Sequence, residues 1–161
     1  IAPMLEWIYY TTWWTRGHAR RTRQLGAWLR AWLLERVQRY DEARLLYPVR
    51  GLLTFAHESP IDTLMDYARP YYEPLLGTEA PCSVGKAVDF GRRGLSGVIN
   101  VLPFSCMPGL VVTGLAQAIR ADHAHLPWLD VTYDAQGGTN LKTRLEAFMF
   151  QAREFQAAQN A

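Results

Sequence analysis

A chain of 161 residues with 49% hydrophobic and 20% charged residues is long enough for one domain with a buried core, and this composition excludes a disordered chain. The formal net charge of +2 gives no electrostatic case for nucleic acid, and no run is long and apolar enough to span a bilayer. We therefore expect neither nucleic acid nor a membrane as a partner.

The two cysteines, Cys82 and Cys106, fit neither a zinc ribbon nor a CxxC redox motif. No signal peptide is recognisable, so we expect a reducing, cytoplasmic setting. Because the first residue is Ile1 rather than Met, we also expect the chain to be a piece of a longer protein.

The N-terminal part, residues 1–75, is predicted to be a helical segment rich in aromatic residues and arginine. Aromatic side chains crowd its first turns, and we expect them to pack in a core rather than to form a cofactor site. They are Trp7, Tyr9, Tyr10, Trp13 and Trp14. The next residues include a basic cluster, which is either a solvated helix face or a site for phosphate or an acidic partner. Its members are Arg16, Arg20, Arg21 and Arg23.

Apolar residues recur at helical spacing between residues 18 and 44, which predicts one long helix with an inward apolar stripe. The stripe consists of Leu25, Trp28, Leu29, Trp32, Leu33 and Val37. A short helix is predicted over 61–68, with Ser59 as its N-cap. His57 and Glu58 precede this helix, whose N-terminus favours anions. They form either a structural hydrogen-bonding pair or a ligand-binding or catalytic pair.

The C-terminal part, residues 76–161, alternates strands and helices. Strands are predicted over 97–102 and 128–133, and helices over 85–90, 109–122 and 140–158. Strand–helix–strand units of this length imply a parallel crossover in a covered sheet, so the predicted fold class is α/β. The loops around Cys106 and Asp134 then open on the same side of the sheet, where ligands bind in open α/β folds.

Cys106 is the residue that most needs a chemical explanation. It lies between two prolines and just before a helix, whose N-terminal amides stabilise a thiolate. Such a thiolate is a nucleophile, a redox thiol or a metal ligand, but a plain buried cysteine fits the spacing as well. Asp134 is either a turn or cap residue or part of a ligand site. Arg144 either reaches an anionic group at the sheet edge or pairs with Glu146 or Asp134.

Several motifs together resemble one bacterial and archaeal family. Residues 97–109 read GVINVLPFSCMPG and resemble its segment GIINVMPFTCMPG. The later pieces PWL, YD, GTN and TRLEAF follow in the family's order, and upstream GKAVDF and the His57–Glu58 pair before Ile61 are similar as well. The family is the dehydratase-subunit-like region of the acyl-CoA dehydratase activase proteins, also called CoA-substrate-specific enzyme activases. The resemblance covers roughly residues 40–155, and the combination of PFxCMPG and TRLEAF is specific.

The resemblance implies a Rossmann-like three-layer lobe, related to the iron–sulfur subunits of 2-hydroxyacyl-CoA dehydratases and benzoyl-CoA reductase. These subunits hold a [4Fe–4S] cluster through cysteine thiolates. The implied partners are an ATPase activase segment or subunit of the actin/Hsp70 class, a dehydratase or reductase subunit, and acyl-CoA. The implied role is to support ATP-driven electron transfer at low potential. A cluster needs about three or four thiolates, so we expect none to be complete in this chain.

Residue by residue, the resemblance places Cys106 at the cluster-ligand position. Cys82 is the second metal-ligand candidate, although the family more often has an apolar residue there. The residues expected to surround the cofactor are Ser105, Pro108, Gly109, Asp134, Arg144, His57 and Glu58. Two alternatives remain open: a non-catalytic interaction or structural domain with an inert thiol, and an enzyme with Cys106 as its nucleophile.

Overall fold

Six α-helices and two β-strands make up the part of the chain that the computed structural model describes, which is residues 5–49, 51–52, 59–133 and 140–160. The helices are α1 (Leu5–Arg21), α2 (Leu25–Leu46), α3 (Ile61–Ala68), α4 (Ala80–Arg92), α5 (Met107–Asp122) and α6 (Leu141–Gln159), and the strands are β1 (Val98–Pro103) and β2 (Trp128–Tyr133). The predicted fold class, α/β with a small parallel sheet after a helical N-terminal segment, is confirmed. Among these residues, no helix combines the length and apolar character needed to cross a bilayer.

The helix predicted over residues 18–44 is wrong at its start, because α1 runs to Arg21 and a turn separates it from α2. Arg23 has a φ of 56°, in the left-handed region. The amide of Gln24 bonds the carbonyl oxygen of Ala19 at 2.9 Å, and the amide of Arg23 bonds that of Arg20 at 3.3 Å. These two bonds form a Schellman motif, which ends α1 and turns the chain back into α2.

Most of the aromatic side chains of α1 pack inward, as predicted, whereas Trp7 is exposed. Tyr10 is buried, and its hydroxyl donates to the carbonyl oxygen of Pro74 at 2.8 Å. Trp14 Nε1 donates to the carbonyl oxygen of Leu75 at 3.0 Å. Since both polar tips find backbone acceptors, the rings are buried without an unsatisfied donor. These contacts hold α1 against the connection between α3 and α4.

The predicted orientation of α2 is wrong. Ala31 and Glu35 are buried towards α1, while most of the predicted inner stripe is exposed. Glu35 tolerates burial because Arg16 of α1 pairs with one carboxylate oxygen and Arg39 donates to the other at 2.8 Å. Two charge-assisted partners compensate for the lost hydration of the carboxylate. The small side chain of Ala31 lets the two helices approach closely.

Helix α3 has the predicted bounds, but Pro60 rather than Ser59 occupies its N-cap. The Ser59 hydroxyl instead donates to Asp89 Oδ1 of α4 at 2.7 Å. Helix α4 begins at Ala80, earlier than predicted, because Pro81 is suited to a first helical turn. It ends at Arg92, two residues later than predicted, and Gly94 follows with a φ of 67°.

The sheet consists of β1 and β2, which pair in parallel from Val98 opposite Trp128 to Pro103 opposite Tyr133. Helix α5 packs against one face of the sheet. Its Gly109 lies so close to Leu102 of β1 that an added Cβ would come within 2.7 Å of Leu102 Cβ. Successive residues of a strand face opposite sides, and Gly97 faces Phe148 of α6. The sheet therefore lies between α5 and α6.

Two buried contacts join the helical segment to the α/β part of the chain. Lys86 Nζ of α4 lies 2.6 Å from Glu6 Oε1 of α1, and both side chains are buried. Helix α3 packs along α4 so closely that a Cβ on Gly85 would meet the backbone of Leu64. The division into residues 1–75 and 76–161 stays a prediction.

Candidate functional site

The Cys106 loop joins the carboxyl end of β1 to the start of α5. Phe104 and Ser105 form the turn, and Ser105 has a φ of 60°. The Cys106 amide donates to the carbonyl oxygen of Pro103 at 3.1 Å. Cys106 then takes the N-cap position of α5, with Pro108 in the first helical turn. The strand–loop–helix arrangement predicted around this thiol is therefore present.

Backbone packing fixes the position of Cys106. Gly109 lies against Leu102, so α5 starts directly beside the end of β1. The carbonyl oxygen of Cys106 accepts from the amide of Leu110 at 2.9 Å, while its side chain caps no amide of α5. The thiol is half-buried at a helix N-terminus, where the partial positive charge of the helix stabilises anions.

Large apolar side chains are exposed around this thiol. Phe104, Met107 and Leu110 are each more than half exposed, and we call them the Cys106 rim. They belong to the same turn and first helical turn as the cysteine. An exposed apolar rim next to a half-buried thiol is typical of a contact surface rather than of a closed catalytic pocket.

Cys82 has a different environment. It lies in α4 and packs beside the buried cluster around Tyr10 and Met65. Burial, together with the negative charges of Glu6 and Glu79, raises the pKa of the Cys82 thiol to about 12. A thiol with this pKa is protonated at neutral pH, so a metal ion bound there would have to displace its proton.

We expect alkylation to distinguish the two cysteines. In the folded protein at pH 8, iodoacetamide should modify Cys106 at least about tenfold faster than Cys82, because only the thiolate reacts. Mass spectrometry of the cysteine-containing peptides measures both rates. Unfolding in urea is the control and should bring the two rates together. Equal rates in the folded protein would contradict the environment described for Cys82.

The structure brings together Ser105, Cys106, Pro108 and Gly109 on one loop, and it places Cys82 on another element. In the part of the chain that the structure describes, no group of three or more His, Cys, Asp or Glu residues is arranged to hold a metal ion. The predicted site residues His57, Glu58 and Asp134 lie outside the described residues. Of the predicted site residues that the structure describes at this loop, Cys106 offers the thiol.

Asp130 organises a polar network that sequence reasoning missed. Its Oδ1 accepts hydrogen bonds from Asn100 Nδ2 at 2.8 Å, Thr113 Oγ1 at 2.9 Å and Trp128 Nε1 at 3.1 Å. Asn100 and Asp130 are paired in the register of the sheet, and Thr113 reaches them from α5. A charged residue in the middle of an apolar strand was the available sequence signal. The network ties both strands to α5.

Among the residues that the structure describes, Arg144 contacts the strand rather than an acidic side chain. Its Nη2 donates to the backbone carbonyl oxygen of Asp130 at 2.5 Å. Glu146, one of the partners considered for Arg144, lies 4.0 Å from Lys142. The contact of Arg144 fastens the start of α6 to the middle of β2.

A second network missed by sequence reasoning lies between α1, α3 and α4. Asp89 Oδ1 accepts from Ser59 Oγ at 2.7 Å and from Arg93 Nε at 3.1 Å. Asp89 Oδ2 lies 3.8 Å from Lys86 Nζ, which also pairs with Glu6. The Asp89 carboxylate forms ion pairs with Lys86 and Arg93, but its buried Oδ2 accepts no hydrogen bond from the residues that the structure describes. The simplest role of these charges is to fix how the helices pack.

Comparison with known proteins adds no relative to these observations. The chain matches no family model, no curated protein and no solved structure. The geometry of the Cys106 loop and the motifs that surround it in the sequence remain as the indications of function.

Proposed function

We propose that this chain is an iron–sulfur-associated module of an acyl-CoA dehydratase activase-like protein, in which Cys106 supplies one thiolate to a [4Fe–4S] cluster. The module supports ATP-driven, low-potential electron transfer to a CoA-ester dehydratase or reductase. The observation that carries this proposal is the position of Cys106. Its thiol lies at the carboxyl end of a parallel strand, at a helix N-terminus, and caps no backbone amide.

The remaining cluster ligands come from outside this chain in the proposal. A cluster needs about three or four thiolates, and Cys82 lies in α4, on a different element from the Cys106 loop. The Cys106 rim supports docking of a subunit that carries the other thiolates, because its apolar side chains are exposed next to the cysteine. A bound cluster would supply one-electron chemistry, and Cys106 of this chain would provide one of its thiolate ligands.

The proposed partners follow from the same resemblance. They are an ATPase activase segment or subunit and a dehydratase or reductase subunit, with acyl-CoA as the substrate class. The proposed location is the cytoplasm, where a reduced Cys106 thiol is preserved.

Iron content tests this proposal. The longer protein that contains this chain should be purified anaerobically as wild type, Cys106→Ser and Cys82→Ala. We expect iron and acid-labile sulfide in the wild type, and iron retention at least about tenfold weaker in Cys106→Ser, because a direct ligand is lost. Cys82→Ala is the matched control and should retain its iron. A wild type without iron, or Cys106→Ser with full iron, would overturn the proposal.

The exposed Cys106 rim also favours a second candidate, an interaction domain with an inert thiol. In that case the rim binds a partner and the cysteine contributes only a small apolar side chain. Partner binding that is unchanged by Cys106→Ser, together with a wild type lacking iron, would favour this candidate over the first.

A further inference from the structure

Helix α2 presents a continuous apolar row on the side that faces away from α1. We call it the α2 row; it consists of Leu25, Leu29, Leu33, Val37 and Tyr40. Each side chain is between 49% and 80% exposed. Its members lie three or four residues apart, so they fall on one side of the helix. Helix α2 has 22 residues and is about 33 Å long, so the row is long enough to contact a partner helix over several turns.

The position of α2 explains why the row is uncovered. One side of the helix packs on α1 through Ala31, Glu35 and the hydrogen bond between Gln38 and Thr12. The described residues place no other element over the opposite side. A helix that is apolar on the side away from its own core is typical of an interaction surface.

Arginines flank the α2 row. Arg30, Arg36 and Arg44 are exposed, and none of them makes an ion pair within the residues that the structure describes. The Arg36 guanidinium lies over the Trp32 ring at 5.2 Å, which holds its charge beside the row. The arginines on the α1 side differ, because Arg16 and Arg39 both pair with Glu35.

This charge pattern distinguishes between occupants. A second copy of the chain docked through the α2 row would bring the same three arginines, Arg30, Arg36 and Arg44, to the shared surface, against Asp41 as an exposed acidic residue of the same helix. Like charges in such positions oppose association. A helix with acidic residues beside its apolar side would instead meet these arginines with opposite charge. Length, apolar character and charge therefore all fit an acidic amphipathic helix.

We propose that the α2 row is a docking site for an amphipathic helix of a partner protein whose apolar side is flanked by Asp and Glu. The site is separate from the Cys106 loop, since it lies on a different helix and uses none of the same residues. It binds in the helix-on-helix mode, in which apolar anchors supply affinity and flanking charges supply selectivity.

A pair of synthetic helical peptides tests this proposal. Both have 22 residues with leucine at the apolar positions, and they carry either Glu or Lys at the flanking positions. Isothermal titration with the intact chain should show binding of the Glu peptide and at least about tenfold weaker binding of the Lys peptide. Leu33→Glu should weaken the Glu peptide about tenfold or more. Leu45→Glu, an exposed leucine of α2 outside the row, is the control and should leave affinity unchanged.

A charge-reversal variant gives a result that a loss of folding cannot explain. The variant Arg30→Glu/Arg36→Glu should lose preference for the Glu peptide and bind the Lys peptide more tightly, a gain that an unfolded protein cannot show. Failure of the wild type to bind the Glu peptide, or equal binding of both peptides, overturns the proposal. Concentration-dependent dimerisation of the wild type that Leu33→Glu abolishes would also overturn it. The same holds if the wild type binds phosphatidylserine vesicles and not the Glu peptide.

Discussion

Gly85→Ala is expected to lower the free energy of unfolding by about 3 kcal/mol or more, because α3 and α4 leave no space for a side chain there. A Cβ on Gly85 would lie 2.2 Å from the carbonyl oxygen of Leu64 and 2.9 Å from its carbonyl carbon. Both atoms belong to the backbone of α3, so no side-chain rotation relieves the clash. The two helices would have to separate, which would open the core around Val84 and Ala68.

Urea denaturation measures this effect, and two glycines provide matched controls. At Gly26 in α2 and Gly114 in α5, an added Cβ would meet no atom within 4 Å apart from its own helix backbone and chain neighbours. Alanine at either site should therefore be neutral or stabilise by up to about 1 kcal/mol, because alanine has the higher helix propensity. A Gly85→Ala variant as stable as the wild type would contradict the α3–α4 packing described here.

The second large effect is expected at Lys86. Its ammonium is only 3% exposed and lies 2.6 Å from Glu6 Oε1 and 3.8 Å from Asp89 Oδ2. Lys86→Met removes a positive charge between two buried carboxylates, and breaking a buried ion pair in this way costs about 3–5 kcal/mol. Denaturation in urea at pH 7 measures the change in the free energy of unfolding.

A double variant separates the loss of charge from the loss of packing. In Glu6→Gln/Lys86→Met both charges of the closest pair are removed, so we expect it to recover part of the stability lost in Lys86→Met. Lys142→Met is the control, since this lysine is 91% exposed and should change stability by no more than about 0.5 kcal/mol. Equal stability of Lys86→Met and wild type would show that Lys86 is not buried in this network.

The elements that the sequence predicted well are those with local signals. Strand β2 has the predicted bounds because Pro127 precedes a short run rich in β-forming residues. Its parallel pairing with β1 follows from the helix that connects them. The Cys106 loop was predictable for the same reason, since a strand, two prolines and a helix follow one another directly along the chain.

The elements that were mispredicted depend on contacts between distant residues. The break after α1 uses Arg23 in a left-handed conformation, where glycine or asparagine would have been the recognisable signal. The orientation of α2 depends on Arg16, which compensates for the burial of Glu35 from another helix. The spacing of apolar residues within α2 does not indicate this ion pair, because Arg16 belongs to α1.

In the candidate site as well, local features were predictable from the sequence and contacts between distant residues were not. The burial that raises the pKa of Cys82 comes from the packing of α1 and α3 against α4, which no local pattern around the cysteine indicates. The Asp130 network requires the register that places Asn100 opposite Asp130. Sequence spacing alone predicts neither the burial of Cys82 nor the pairing of Asn100 with Asp130, since both depend on contacts between separate elements.

The central claim is that Cys106 is a ligand of an iron–sulfur cluster, and electron paramagnetic resonance of the dithionite-reduced longer protein tests it most directly. A change of ligand alters the electronic structure of a cluster, whereas a change at a remote residue does not. We predict a signal of a reduced cluster that is lost or altered in Cys106→Ser and unchanged in Cys82→Ala. A wild type without such a signal, or a Cys106→Ser spectrum identical to that of the wild type, would contradict the claim.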